Sequence, residues 1–197
     1  MNIESIVNKS KKIILETGEF PPCIFVELDH VDFMGIGLPQ SEELDNGYER
    51  ARLKFLAGRT FAQKLLKTKK NRKRKVTGAC VVTEVWYTDS RIEEGRPRIR
   101  PSLSPQRKEG LSITAISTDS MKQELIMYQI LRDGSGTLVD LLKASMPDAD
   151  GSDGVIRGAG LPCFLAGVRT AKQDPSQAIH EFRRTYDRYS PLHTFAE

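Results

Sequence analysis

The 197-residue chain predicts an α+β fold: a mostly antiparallel sheet of about five to six strands, packed with two main helices and followed by a C-terminal helix. Three observations predict it. Amphipathic helical spacing occurs at the amino terminus and again over 48–66. Between 79 and 142 β-branched and aromatic residues dominate, interrupted by turn residues. Helical spacing then returns after a Gly/Asp-rich stretch that ends near Gly160.

Taken in order, Ile6, Val7, Ile13 and Ile14 give the first helix, over 3–17, an apolar stripe, and Gly18 stops it. Pro21-Pro22 leads into a strand over 23–29. A second strand spans 31–38, although Gly35 and Gly37 weaken it. Asp45-Asn46-Gly47 is a turn signal before the long helix, whose buried face is Ala51, Phe55, Ala62, Leu65 and Leu66. The strand over 79–88 is apolar on both faces, with Val81, Val85 and Tyr87 on one and Cys80, Val82 and Trp86 on the other. That pattern predicts a central strand covered on both sides. Strands over 111–118 and 125–132 follow. Asp133-Gly134-Ser135-Gly136 then turns the chain into a sixth strand over 137–142, a helix from Thr137 being the competing reading. Asp174 as N-cap with Pro175 at the first helical position starts the last helix, which Ile179, Phe182 and Tyr186 make amphipathic. The division expected is a core domain over 1–145, with 146–197 supplying a Gly/Asp-rich loop and a helical appendage packed on it.

Composition excludes several classes. With 39% hydrophobic and 28% charged residues the chain is too apolar to be disordered. No apolar run approaches the roughly 20 residues of a membrane span, and the first residues lack a basic segment followed by an apolar one. The expectation is a cytoplasmic protein with no membrane association. Cys23, Cys80 and Cys163 are odd in number, far apart and without a C-x-x-C pair, which fits packed thiols and neither a disulfide framework nor a zinc site. No cofactor signature is present.

Charge is the most informative feature. Residues 67–75 hold seven cations and no acid: Lys67, Lys69, Lys70, Arg72, Lys73, Arg74 and Lys75. The chain's net charge is only +4, so everything outside this run is net acidic. Such a run concentrates polyanions, and each cation meeting a phosphate releases counterions. It carries no stacking aromatic and no recognition-helix pattern, so the contact predicted is sequence-independent. The alternatives are a solvated loop that covers a sheet edge and, in a nucleated cell, an import signal. A second cationic stretch over 91–108 includes Arg91, Arg96, Arg98, Arg100, Arg107 and Lys108 against Glu93 and Glu94. The strand over 79–88 places it at the opposite end of the sheet from the first run, so one ligand touching both must be elongated. The competing reading is a proline-punctuated hairpin loop whose charges pair internally, Arg107 with Glu109 for example.

Carboxylates offer a weaker case. Glu27 and Asp29 share one strand face, Asp32 follows, and Glu84 lies within the doubly apolar strand. Together Glu27, Asp29 and Glu84 are candidates for holding a divalent metal for phosphodiester hydrolysis. The lysine such sites place two residues past the second acid is replaced by Trp86, and the plainer reading makes Glu84 a half-buried acid paired with an arginine. Asp148, Asp150, Ser152 and Asp153 resemble a calcium loop but lack its glycine at the sixth position and its glutamate at the twelfth. Cys163 would be a nucleophile only if His180 or His193 approached it; between apolar neighbours it reads as a core residue. Gly134-Ser135-Gly136-Thr137 lacks the lysine of a phosphate loop and reads as a turn.

From the Trp86 strand through Pro101-Ser102-Leu103-Ser104-Pro105-Gln106-Arg107-Lys108-Glu109-Gly110-Leu111, the chain resembles small uncharacterised bacterial and phage proteins in which an aromatic strand leads through a Pro-Ser-x-x-Pro-x-Arg-x-Glu turn into a second strand. The resemblance implies a prokaryotic or mobile-element origin and no particular activity. The expectation is a non-catalytic accessory protein whose 67–75 run, with Arg96, Arg98 and Arg100, contacts nucleic acid or an acidic protein. A protein-binding or inhibitory module of a bacterial or phage system, and a metal-dependent phosphodiesterase, are the alternatives.

Overall fold

The computed structural model describes residues 3–30, 32–38, 47–87, 105, 107–144 and 158–190. The elements run α1 (Ile3–Thr17), β1 (Cys23–Leu28), β2 (Asp32–Gly37), α2 (Gly47–Lys67), β3 (Val76–Tyr87), β4 (Lys108–Ser117), β5 (Gln123–Arg132), β6 (Leu138–Lys143), α3 (Gly160–Arg169) and α4 (Pro175–Tyr189). The six strands form one sheet in the order β2-β1-β3-β4-β5-β6, with every neighbouring pair antiparallel. The α+β fold and the C-terminal helix are those the sequence predicts. The sixth segment is a strand and not a helix. Its turn is held by the Asp133 carboxylate, which accepts from Ser135 N at 2.9 Å and Thr137 N at 3.0 Å.

Alternation along β3 explains the layering. Cys80 and Val82 face one side, where α1 packs Ile6, Val7 and Ile14 against Phe25, Leu111, Ile113 and Ile130. Ala79 and Val81 face the other, where Phe61 and Leu65 of α2 and Leu161, Phe164 and Leu165 of α3 cover Ile24, Val26, Leu28 and Ile116. A strand covered on both faces reads as apolar on both, and β3 occupies the third position of six. On the outside, α4 lays Phe182 on Phe55 and Tyr48, each ring pair at 5.2 Å. The Asp174 carboxylate accepts from Ser176 N and Gln177 N, the cap the sequence indicates.

The helix α3 is absent from the sequence prediction, and the structure adds it. Gly160, Pro162 and Gly167 look like helix breakers and follow directly on a Gly/Asp-rich stretch, so the segment reads as loop. Seven of its ten residues are buried, and each large side chain among them contributes about 2 kcal/mol by leaving water. Two glycines permit this. At Gly58 of α2 and Gly167 of α3 the helix backbones touch, the first against the Phe164 carbonyl and the second against the Phe55 carbonyl.

At one end of the sheet an ion cluster holds the end of α1. Gly18, at φ 78°, donates its N–H to Ile14 O. Arg132 donates to the carbonyl of Gly18 through both Nη atoms, each at 3.1 Å, and to both oxygens of Glu109 at 2.7 Å. Glu109 therefore pairs with Arg132, where the competing reading of the 91–108 stretch offered Arg107; the Arg107 guanidinium lies 4.7 Å above the Trp86 ring. Glu84 accepts from Phe20 N at 2.6 Å in the same cluster. Burial, and secondarily the nearby Glu109, raise its carboxyl above the usual carboxylate range, against the Phe20 hydrogen bond. Between the ordinary and the raised value, the folded chain holds a proton that the unfolded chain has lost, so stability falls as pH rises through that window. Glu84→Gln keeps the Phe20 bond and removes the charge. Denaturation across pH should show a flatter profile there and no loss of stability at neutral pH; a variant destabilised at neutral pH would contradict the assignment.

Candidate nucleic-acid interface

The basic run is an ordered double turn. The helix α2 ends at Lys67, where Lys64 and Lys67 suit the negative end of its dipole. Thr68 closes the helix, its Oγ1 donating to Leu65 O at 3.0 Å. Asn71 N and Arg72 N then donate to Thr68 O at 3.1 and 3.0 Å, and Arg74 N to Asn71 O at 2.9 Å. These bonds fix the backbone without using a basic side chain, so the cations are displayed on a preformed turn.

Arg74 is the exception. Its Nε donates to Asp29 Oδ2 at 2.8 Å, its Nη1 meets Asp32 Oδ2 at 2.8 Å and its Nη2 donates to Leu28 O at 3.3 Å. Asp29 also accepts from Lys75 N at 2.8 Å, while its own N–H donates to Lys75 O at 2.9 Å. The hydrogen bond from Arg74, then that from Lys75 N–H, hold the Asp29 carboxyl below the usual carboxylate range. Asp29 and His30 take left-handed backbone, φ 54° and 60°, a region where Asp and His are enriched among non-glycine residues. The acidic turn after β1 thus clamps the basic turn after α2. Arg74→Ala should lower the thermal midpoint at neutral pH. The deficit should shrink as acid discharges Asp29, because its pairing with Arg74 operates only above its lowered folded pKa. An unchanged midpoint would remove the anchoring role.

With Arg74 engaged, six cations remain. Lys67, Lys69, Lys70, Arg72, Lys73 and Lys75 are all exposed, and among the described residues none of them forms an ion pair. Charges of opposite sign lie on the neighbouring turns. Asp29 and Asp32 are met by Arg74, and Asp119 lies 3.9 Å from His30 Nε2. The turn feeds β3 in the interior of the sheet, and Arg74 ties it to Asp32 at the start of the edge strand β2.

Arg107 and Lys108 stand at the far end of β3, so the two cationic stretches begin at opposite ends of that strand, about 40 Å apart for twelve extended residues. Arg96, Arg98 and Arg100 lie outside the described residues, as does the acidic stretch around Asp150. The carboxylate triad does not assemble. Glu27 pairs across the sheet with Gly78, and Glu84 lies six residues further along β3, about 20 Å away. Glu27 is 2% exposed and accepts from Thr77 Oγ1 at 3.0 Å; Asp29 belongs to Arg74. Among the described residues no group of three or more His, Cys, Asp and Glu side chains is arranged to hold a metal ion. Cys80 and Cys163 are fully buried, with thiols pushed up to about 12 by that burial, so neither supplies a ready thiolate. His193 lies outside the described residues.

No family model matches the chain, and no curated protein or solved structure matches it. Among the described residues no helix is long and apolar enough to cross a membrane.

The sequence reading missed two features of this end of the molecule. Arg74 was counted with the other cations, although Asp29 and Asp32 were visible as acids seeking a partner. The apolar groove beside the turn combines residues from β2 and α2, and nothing local announces it.

Proposed function

We propose that this protein is a non-catalytic accessory protein that contacts nucleic acid through the phosphate backbone, using the turn over 67–75. The observation that carries this reading is the set of six exposed cations on a hydrogen-bonded turn. Clustered cations that outnumber the acids beside them attract polyanions strongly, and phosphate contacts release the polyanion's own counterions. The turn presents no aromatic ring and no helix to a groove, so the contacts supported are to phosphates and not to base edges. Arg74 acts as the anchor that orients the turn; Lys67, Lys69, Lys70, Arg72, Lys73 and Lys75 make the contacts. Arg96, Arg98 and Arg100 are assigned as a second contact segment that only an elongated nucleic acid would reach.

Fluorescence anisotropy with random-sequence single-stranded and duplex DNA and RNA tests this. The full chain should bind at low salt, and a variant with Lys69, Lys70, Arg72, Lys73 and Lys75 changed to alanine should bind far more weakly. Equal binding by both proteins would exclude the turn as the interface. Binding of neither would redirect the turn to an acidic protein partner.

A further inference from the structure

One flank of α2 is apolar and only partly covered. The core face, Ala51, Phe55, Gly58, Phe61, Ala62 and Leu65, is buried. Beside it Leu53, Leu56 and Ala57 recur at helical spacing and, with the core residue Phe61, face Met34 and Ile36 of β2 across a groove of about 540 Å³. Leu56 is 46% and Met34 38% exposed. The groove runs toward the basic turn, since Lys64, Thr68 and Asn71 line it as well. From Leu53 to Lys64 the helix advances about 17 Å, the length of about five extended residues.

The strand along this groove is the outermost of the sheet, and its outer edge has no partner among the described residues. Edge strands usually carry a protecting charge or proline in mid-strand. In β2, Asp-Phe-Met-Gly-Ile-Gly, the only charge is at the first position, where Asp32 is occupied by Arg74. The opposite edge, β6, does carry such a charge, Asp140.

We propose that the groove between β2 and α2 is a peptide-binding site. An extended segment of a partner protein adds as a seventh strand against β2. Its alternate apolar side chains enter the groove, and acidic residues lie at the end nearest Lys64 and the basic turn. An acyl chain would fill the apolar lining but leave the N–H and C=O groups of β2 unpaired, whereas a peptide backbone satisfies them. Charge complementarity with the turn fixes the acidic end. The inference does not depend on nucleic-acid contact, because its apolar determinants lie outside the 67–75 run.

Selection of random linear peptides by phage display on the immobilised full chain tests this, followed by anisotropy with the selected peptides at physiological salt. The controls are Leu56→Glu and Met34→Asp in the groove, and Leu15→Glu at an exposed apolar position on α1. The selected peptides should share an alternating apolar pattern next to acidic residues. The groove variants should weaken their binding at least about tenfold, the loss expected of a central contact. Leu15→Glu should leave it unchanged, and Leu56→Glu should leave nucleic-acid binding unchanged. Amide exchange of β2 should slow when peptide is bound. No enriched peptide, equal binding by wild type and Leu56→Glu, or β2 amides that exchange no more slowly with peptide would each overturn the proposal.

Discussion

Gly58→Ala and Gly167→Ala should each cost about 3 kcal/mol or more of stability, the upper end for overpacking a core. A Cβ at Gly58 would overlap the Phe164 carbonyl oxygen and lie 3.0 Å from its carbon; one at Gly167 would overlap the Phe55 carbonyl oxygen and lie 3.0 Å from Arg59 N. These neighbours are backbone, so no rotamer change relieves the contact, and α2 and α3 must separate. Phe164 and Cys163, both fully buried, lose their packing when they do. Alanine's better helix propensity returns only about 1 kcal/mol. For a chain of this size the thermal midpoint should fall by about 6–12 °C. Gly37→Ala is the control, since a Cβ there meets nothing within 4 Å. Chemical and thermal denaturation of the three variants is the check; wild-type midpoints for both helix variants would refute the close crossing.

Changing Lys69, Lys70, Arg72, Lys73 and Lys75 to alanine should have the largest effect on binding. If these five and Lys67 each contact one phosphate of duplex DNA, the wild-type affinity should fall by about three orders of magnitude between about 50 and 200 mM salt. The variant retains Lys67 and should show a slope of magnitude about 1. Arg74 is left in place because removing it would confound lost binding with a loosened turn. Anisotropy titrations at several salt concentrations separate the two proteins. A variant whose slope matches wild type would assign the binding to other residues.

Much of the fold was legible because local chemistry and tertiary context agree. Gly18 ends α1, Asp174-Pro175 starts α4, and the doubly apolar segment from Ala79 lies in β3, an interior strand buried on both faces up to Val82. The hidden parts depend on long-range contact. Packing hid α3, whose glycines read as breakers in the sequence but allow two backbones to touch in the fold. Register decided the fate of the carboxylates. Glu27 and Glu84 look like neighbours when adjacent strands are imagined side by side, yet the β1–β3 pairing sets them six residues apart along β3. The basic run was legible as charge but not as structure. Which cation serves as anchor depends on Asp29 and Asp32, some forty residues away in sequence and 2.8 Å away in space.

The most direct test is the dissociation constant of the full chain for two unrelated duplexes of equal length, measured across a salt series. Contact through the 67–75 turn predicts parallel log–log plots for both sequences, with a slope of about −5 from six phosphates. A slope near zero, or a preference for one sequence exceeding about tenfold at every salt concentration, would contradict it.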